Sequence, residues 1–124
     1  MKKILLVEDN DVNMRLVRLT LKNQNYQFFE ASNGEEAIAQ ALKEKPDLII
    51  LDIQIPRMDG YEVAHALKHS HEVSHIPIIA LTAHAMKGDE EKALKAGCDA
   101  YVSKPLDTSE FRHLVKSYLE KKPF

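Results

Sequence analysis

Pro46-Asp47-Leu48-Ile49-Ile50-Leu51-Asp52 decides the fold. Four consecutive large apolar residues stand between two acidic ones. That is too continuous for a strand with one wet face and too short for a helix. Such a run suits a strand covered on both faces, as in parallel sheets. Outward from it, Lys3–Val7 repeats the pattern. Ile76-Pro77-Ile78-Ile79-Ala80-Leu81 is a third run, with Pro77 near its start, where a missing N–H does least harm. Tyr26–Ala31 mixes Gln27 and Glu30 among aromatics and reads as an edge strand; Ala100-Tyr101-Val102 is a short fifth.

Helical patterns fill the intervals. Asn33…Glu36, Asp59…Glu62 and Asp107…Glu110 each place a capping side chain three residues ahead of a glutamate, which can satisfy orphan N–H groups at a helix start. Phe111, Leu114, Val115 and Tyr118 follow the i, i+3, i+4, i+7 stripe of a half-buried helix. Lys92–Ala96 runs into Gly97, a natural residue just past a helix end. A first helix, about Asp11 to Asn23, carries Val12, Met14, Leu16, Val17, Leu19 and Leu21, more apolar surface than one buried stripe needs. Strands alternating with helices across short loops predict a parallel sheet with helices on both faces.

Composition bounds the function. The 124 residues fit one domain, long enough to bury roughly two-thirds of its unfolded surface without disulfides or structural metal. Cys98 is the only cysteine, which excludes an internal disulfide framework and a Cys-based zinc cage. Lys and Arg total 17 against 19 Asp and Glu, and a net charge of −2 offers no global field for nucleic acid or an acidic membrane. No apolar run approaches the ~18–20 residues of a membrane span. The run Ile4–Val7 stops at Glu8-Asp9, too short for a secretory signal. A soluble, reduced, cytoplasmic chain is expected.

The informative polar residues lie just past strand ends: Glu8 and Asp9, Asp52, Thr82 and Ala83, Ser103 and Lys104. In open doubly wound sheets, ligands bind outside the carboxyl ends of the strands, where strand order reverses. Asp9 and Asp52 on neighbouring strands would lie roughly 4.8 Å apart. At an effective dielectric near 20 they would repel by about 3–4 kcal/mol, and Glu8 adds a third charge. Either proton sharing or a hard divalent cation can offset this, and an all-oxygen donor set suits Mg²⁺. Mg²⁺ usually takes one or two carboxylates, which leaves another to react. Lys104 as a point charge and Thr82 with a backbone N–H could hold a phosphoryl group, beside which the small Ala83 leaves space. A carboxylate attacking phosphorus forms an acyl phosphate.

Leu5-Leu6-Val7-Glu8-Asp9-Asn10, Leu51-Asp52 with Pro56-Arg57-Met58-Asp59-Gly60, Leu81-Thr82-Ala83 and Tyr101-Val102-Ser103-Lys104-Pro105 resemble the receiver domain of two-component response regulators. The likeness spans essentially the whole chain. Its Glu-Asp-Asn start resembles receivers of hybrid kinases and stand-alone cell-cycle regulators of the DivK type. The resemblance implies a flavodoxin-like doubly wound (βα)5 fold with strand order 2-1-3-4-5, in a single receiver domain over residues 1–124 without an output domain. It implies Asp52 as phosphoacceptor, with Mg²⁺ held by Glu8, Asp9, Asp52 and the backbone carbonyl of Gln54. Thr82, the Ala83 N–H and Lys104 would contact the phosphoryl group, Thr82 and Tyr101 would form a switch pair, and Lys104–Pro105 would be cis. Implied partners are a histidine kinase, a histidine phosphotransfer protein, or both, and a downstream protein target. Such a chain catalyses only its own phosphotransfer and dephosphorylation.

Four positions depart from the family pattern. Glu8 replaces the commoner Asp and is one methylene longer, Ile55 stands where Met is frequent, and Gln54 and His84 flank the path of the water that hydrolyses the phosphoryl group.

Other readings compete. Asp9 alone could be a helix N-cap, and Asp59 is read only as one. A Mg²⁺-dependent aspartyl phosphohydrolase would carry a second acid where Gln54 stands. A flavodoxin-like cofactor binder would need a phosphate loop after the first strand, where Glu8-Asp9-Asn10-Asp11 would repel phosphate. A receiver that binds without phosphorylation would not need the full residue set. Met14 and Val17 either complete the core or, with Asn10 and Asn13, form a docking patch for a helical phosphodonor. His65/His69 and His71/His75 are spaced i, i+4, which can suit a metal, but are read as surface histidines. Cys98 is read as a small packing residue, and the basic Lys116…Lys121-Lys122 as a solvated helix end.

Overall fold

The computed structural model describes residues 1–23, 25–55, 59–82, 89–103 and 107–120. Strands and helices alternate: β1 (Lys2–Val7), α1 (Asp11–Leu21), β2 (Tyr26–Ala31), α2 (Gly34–Glu44), β3 (Leu48–Asp52), α3 (Gly60–Lys68), β4 (Ile78–Thr82), α4 (Asp89–Ala96), β5 (Ala100–Ser103) and α5 (Thr108–Leu119). All ladders are parallel, in the order β2-β1-β3-β4-β5, as the resemblance implied. β4 begins one residue after Pro77, whose carbonyl accepts from Ile49 N–H at 3.0 Å, so the proline's missing donor is not needed.

Why Leu48–Leu51 are all apolar is now clear. Ile49 and Leu51 pack on one face with Ala37 and Ala41 of α2 and Val63 and Leu67 of α3. Leu48 and Ile50 pack on the other with Val17 and Leu21 of α1 and Phe111 and Val115 of α5. The same division corrects the docking alternative for Met14 and Val17. Both are buried, because the α1 stripe that meets the sheet is Met14-Val17-Leu21. Val12, Leu16 and Leu19 are the exposed surplus.

The α1 cap is also resolved. Asn10, not Asp9, accepts from Val12 and Asn13 N–H at 2.9 and 3.0 Å. Asn33, Asp59 and Asp107 cap their helices as expected. At α2, Glu36 reaches back to the Ser32 N–H and the Asn33 side-chain amide.

The end of the sheet opposite the site is fastened by one lysine. Lys68 Nζ donates to the Ile76 carbonyl at 2.8 Å and to Asp99 Oδ2 at 3.1 Å, and that carboxylate oxygen also accepts from Ile78 N–H at 2.8 Å. Gly97, at φ +110°, ends α4 in the left-handed region, and a Cβ there would stand 2.5 Å from Lys68 Cγ.

Beside it Cys98 is buried, as a packing residue should be. Burial pushes its thiol from 9.0 up to about 12, with Asp99 adding to the rise and Lys68 opposing it. Above the unfolded value the unfolded chain releases this proton while the folded chain keeps it. The contribution is therefore whole below about pH 9 and is lost as pH rises toward 12, about 1 kcal/mol of it by pH 10. Urea unfolding at pH 8 and pH 10 should show that much less alkaline loss in Cys98→Ala than in wild type. Equal losses would refute this role.

Among the described residues, no helix is long and apolar enough to cross a membrane.

Candidate functional site

Strand register brings the polar residues together. Val7 pairs with Leu51, so Glu8, the first residue past β1, comes alongside Asp52, the last of β3. Asp52 pairs with Leu81 and Thr82 with Ser103, which sets Thr82 one step beyond Asp52 on the adjoining strand. Glu8, Asp52 and Thr82 are 5%, 4% and 3% exposed, although each is strongly polar. Asp9 is exposed. One carboxylate oxygen from each of Glu8, Asp9 and Asp52 lies within 4.8 Å of the others. The longer Glu8 side chain therefore reaches the same cluster.

Backbone groups hold this arrangement in place. Gln54 N–H donates to Asp52 Oδ1 at 2.9 Å, and Asn10 N–H to Glu8 Oε1 at 3.3 Å. Ile53 N–H donates to the Leu81 carbonyl at 2.9 Å, and the Ile53 carbonyl accepts from Gly60 N–H at 3.1 Å. Gly60 is there for space: a Cβ would stand 2.5 Å from Ile53 Cα and 2.7 Å from its carbonyl oxygen. The entry to α3 thus presses backbone to backbone against the residue after Asp52.

Two unit charges at 4.8 Å repel by about 3–4 kcal/mol at an effective dielectric near 20, and water screens the exposed Asp9 more than the buried Glu8 and Asp52. The donor set is all oxygen, negatively charged, and partly open to water. That matches a hard cation which keeps several waters, as Mg²⁺ does.

On the neighbouring strands, Thr82 shares a face with Ile78 and Ala80. Tyr101, paired in register with Ala80, packs against the cluster on that face. The two proposed switch residues are therefore diagonal neighbours. Gln54 has an exposed side chain. Ala83, Lys104 and Pro105 lie outside the described residues, as do Arg57, Met58 and His84. Asn10 and Gly60 were not singled out for the site. Asn10 was in plain view as a capping residue, but Asp9 and Asp11 on either side compete for that reading. Gly60's partner is seen only in the fold.

Residues 4–116 match the response regulator receiver domain. The polar-differentiation response regulator DivK of Brucella anthropi is 47% identical over 118 residues, 95% of this chain and 96% of that protein. DivK of Brucella ovis is 46% identical over the same shares. Among solved structures, a sensor histidine kinase receiver domain from Pseudomonas aeruginosa has a magnesium ion coordinated in its active site cleft. It matches with a TM-score of 0.88 at 32% identity, covering 97% of this chain and 98% of that one. The chemotaxis response regulator CheY4 of Vibrio cholerae matches at 0.87 and 28% identity, covering 96% and 99%. Receivers bind Mg²⁺ in an acidic pocket and interact with histidine kinases and downstream targets. Kinship of sequence and agreement of fold lead to one conclusion: the chain belongs to the response regulator receiver domain family, the phosphorylation-dependent signalling switches of two-component systems.

Proposed function

We propose that Asp52 is the phosphoacceptor and that it takes its phosphoryl group from a phosphohistidine of a histidine kinase or a histidine phosphotransfer protein. The carrying observation is the burial of Asp52 within 4.8 Å of two further carboxylates, with Oδ1 oriented by the Gln54 N–H. A carboxylate oxygen of Asp52 forms the new O–P bond as the P–N bond to the donor imidazole breaks, and the bonding pair returns to the imidazole nitrogen. Glu8, Asp9, Asp52 and the Gln54 carbonyl are the proposed Mg²⁺ ligands. When bound, the ion offsets the carboxylate charge and the charge that gathers on the phosphoryl oxygens.

Thr82, the Ala83 N–H and Lys104 are assigned to those oxygens. In the phosphorylated state Thr82 turns toward the new dianion and Tyr101 follows on the same face, so a local charge event biases a two-state surface. The chain acts on no separate substrate, and it signals in the cytoplasm through contact with protein partners.

Intact-protein mass spectrometry after acetyl phosphate treatment, with and without Mg²⁺, tests this. Wild type should gain one labile phosphoryl group only with the metal, and Asp52→Asn should gain none. A gain that persists in the variant would overturn the assignment.

A further inference from the structure

Away from the acidic cluster, two imidazoles stand one turn apart at the end of α3, His65 in its last turn and His69 as its C-cap. His65 and His69 are exposed, with ring centroids 4.0 Å apart and planes 17° from parallel. His69 Nδ1 lies 2.8 Å from the His65 carbonyl oxygen. A carbonyl only accepts, so that contact puts the proton on Nδ1 and leaves Nε2 with the lone pair. Fixing a ring in this way, by hydrogen-bonding its second nitrogen to a carbonyl, is how metal-ligating histidines are commonly oriented.

The spacing suits one ion. With metal–nitrogen bonds of about 2.0–2.1 Å, two nitrogens on a tetrahedral ion sit roughly 3.3 Å apart. The rings are stacked, so their in-plane lone pairs run nearly parallel, and one side chain must turn to another rotamer before both nitrogens face the ion, a turn that their exposure leaves room for. The surrounding charges permit it. Lys68, next in sequence to His69, has its ammonium tied to the Ile76 carbonyl and Asp99. Glu62, exposed one turn earlier on the same face, favours an approaching cation. His71 and His75 have the same spacing, but they lie in the turns after α3 and share no helical face.

We propose that His65 and His69 chelate a borderline transition-metal dication of the Zn²⁺, Ni²⁺ or Cu²⁺ class, with water completing its coordination. Imidazole selects these metals, whereas carboxylate and carbonyl oxygens select Mg²⁺. The α3 site and the acidic cluster therefore answer to different ions. Because the pair exists only on the formed helix, bound metal also stabilises α3.

Zn²⁺ titration calorimetry on the whole chain, with Mg²⁺ in excess to occupy the acidic cluster, tests this. One equivalent should bind. His65→Gln and His69→Gln should each weaken binding about 10²-fold, since either loses the second, effectively intramolecular ligand. His71→Gln should bind as wild type does. Cu²⁺ electron paramagnetic resonance should show two imidazole nitrogens in wild type and one in either α3 variant. Unchanged binding in both the His65 and His69 variants, loss that follows His71, or no saturable binding would each overturn the proposal.

Discussion

Gly60→Ala should destabilise the protein by about 2–3 kcal/mol, a large share of the stability of a domain this size. The cause is steric and local. The added methyl group would stand 2.5 Å from Ile53 Cα and 2.7 Å from its carbonyl oxygen, both main-chain atoms without a rotamer to escape into. Relief requires α3 to back away from the sheet. That stretches the Gly60 N–H bond to Ile53 and loosens Val63 and Leu67, both fully covered against β3. Ile53 also carries the loop that aims Gln54 N–H at Asp52, so Mg²⁺ affinity should fall together with stability. Urea unfolding and Mg²⁺ titration of the variant check both expectations. A loss below about 0.5 kcal/mol, the range of an ordinary surface substitution, would show that the contact yields easily and that the explanation is wrong.

Asp52→Asn should do the opposite, provided no metal is present. In chelator the variant should be more stable than wild type by about 2 kcal/mol, because it removes one of three carboxylates whose mutual repulsion is of that order after solvent screening. Asn matches Asp in shape, and its Oδ1 can still accept from Gln54 N–H. Mg²⁺ should then reverse the ranking. At about 100 times its dissociation constant the ion adds about 2.7 kcal/mol to wild type, but little to a variant that has lost a charged ligand. Denaturant unfolding in chelator and in Mg²⁺ gives the four values needed. A variant that is weaker than wild type in chelator would mean the carboxylates are not in conflict.

The parts legible in the sequence are those carried by unbroken runs and by residues at their ends. Leu48-Ile49-Ile50-Leu51 admits one kind of strand, and Asp52 follows it at the edge where a doubly wound sheet binds ligands. What stayed hidden involves a choice among equals or a partner far along the chain. Asp9, Asn10 and Asp11 can each begin a helix, and only the backbone shows that Asn10 does, which leaves Asp9 in the acidic cluster. Six apolar residues on α1 fit more than one helical phase, so Met14 and Val17 could not be separated from Val12, Leu16 and Leu19. Lys68 reads as a surface lysine, since nothing near it announces the Ile76 carbonyl or the Asp99 carboxylate. Gly60 looks like an ordinary loop glycine until Ile53 is found beneath it.

β1 lies between β2 and β3, and its ladder with β3 cannot form until a remote stretch of chain returns to it. Lys3 N–H, for example, meets the Asp47 carboxylate 44 residues away. Closing so long an excursion restricts the chain before any pairing rewards it, whereas β4 and β5, joined from Ile79 to Ala100, are much nearer neighbours. Glu8 and Asp9 arrive on one side of that late-closing seam and Asp52 on the other. A refolding molecule therefore acquires its acidic hollow in the same event that completes its most demanding ladder, and partly assembled chains have no such hollow for a cation to select.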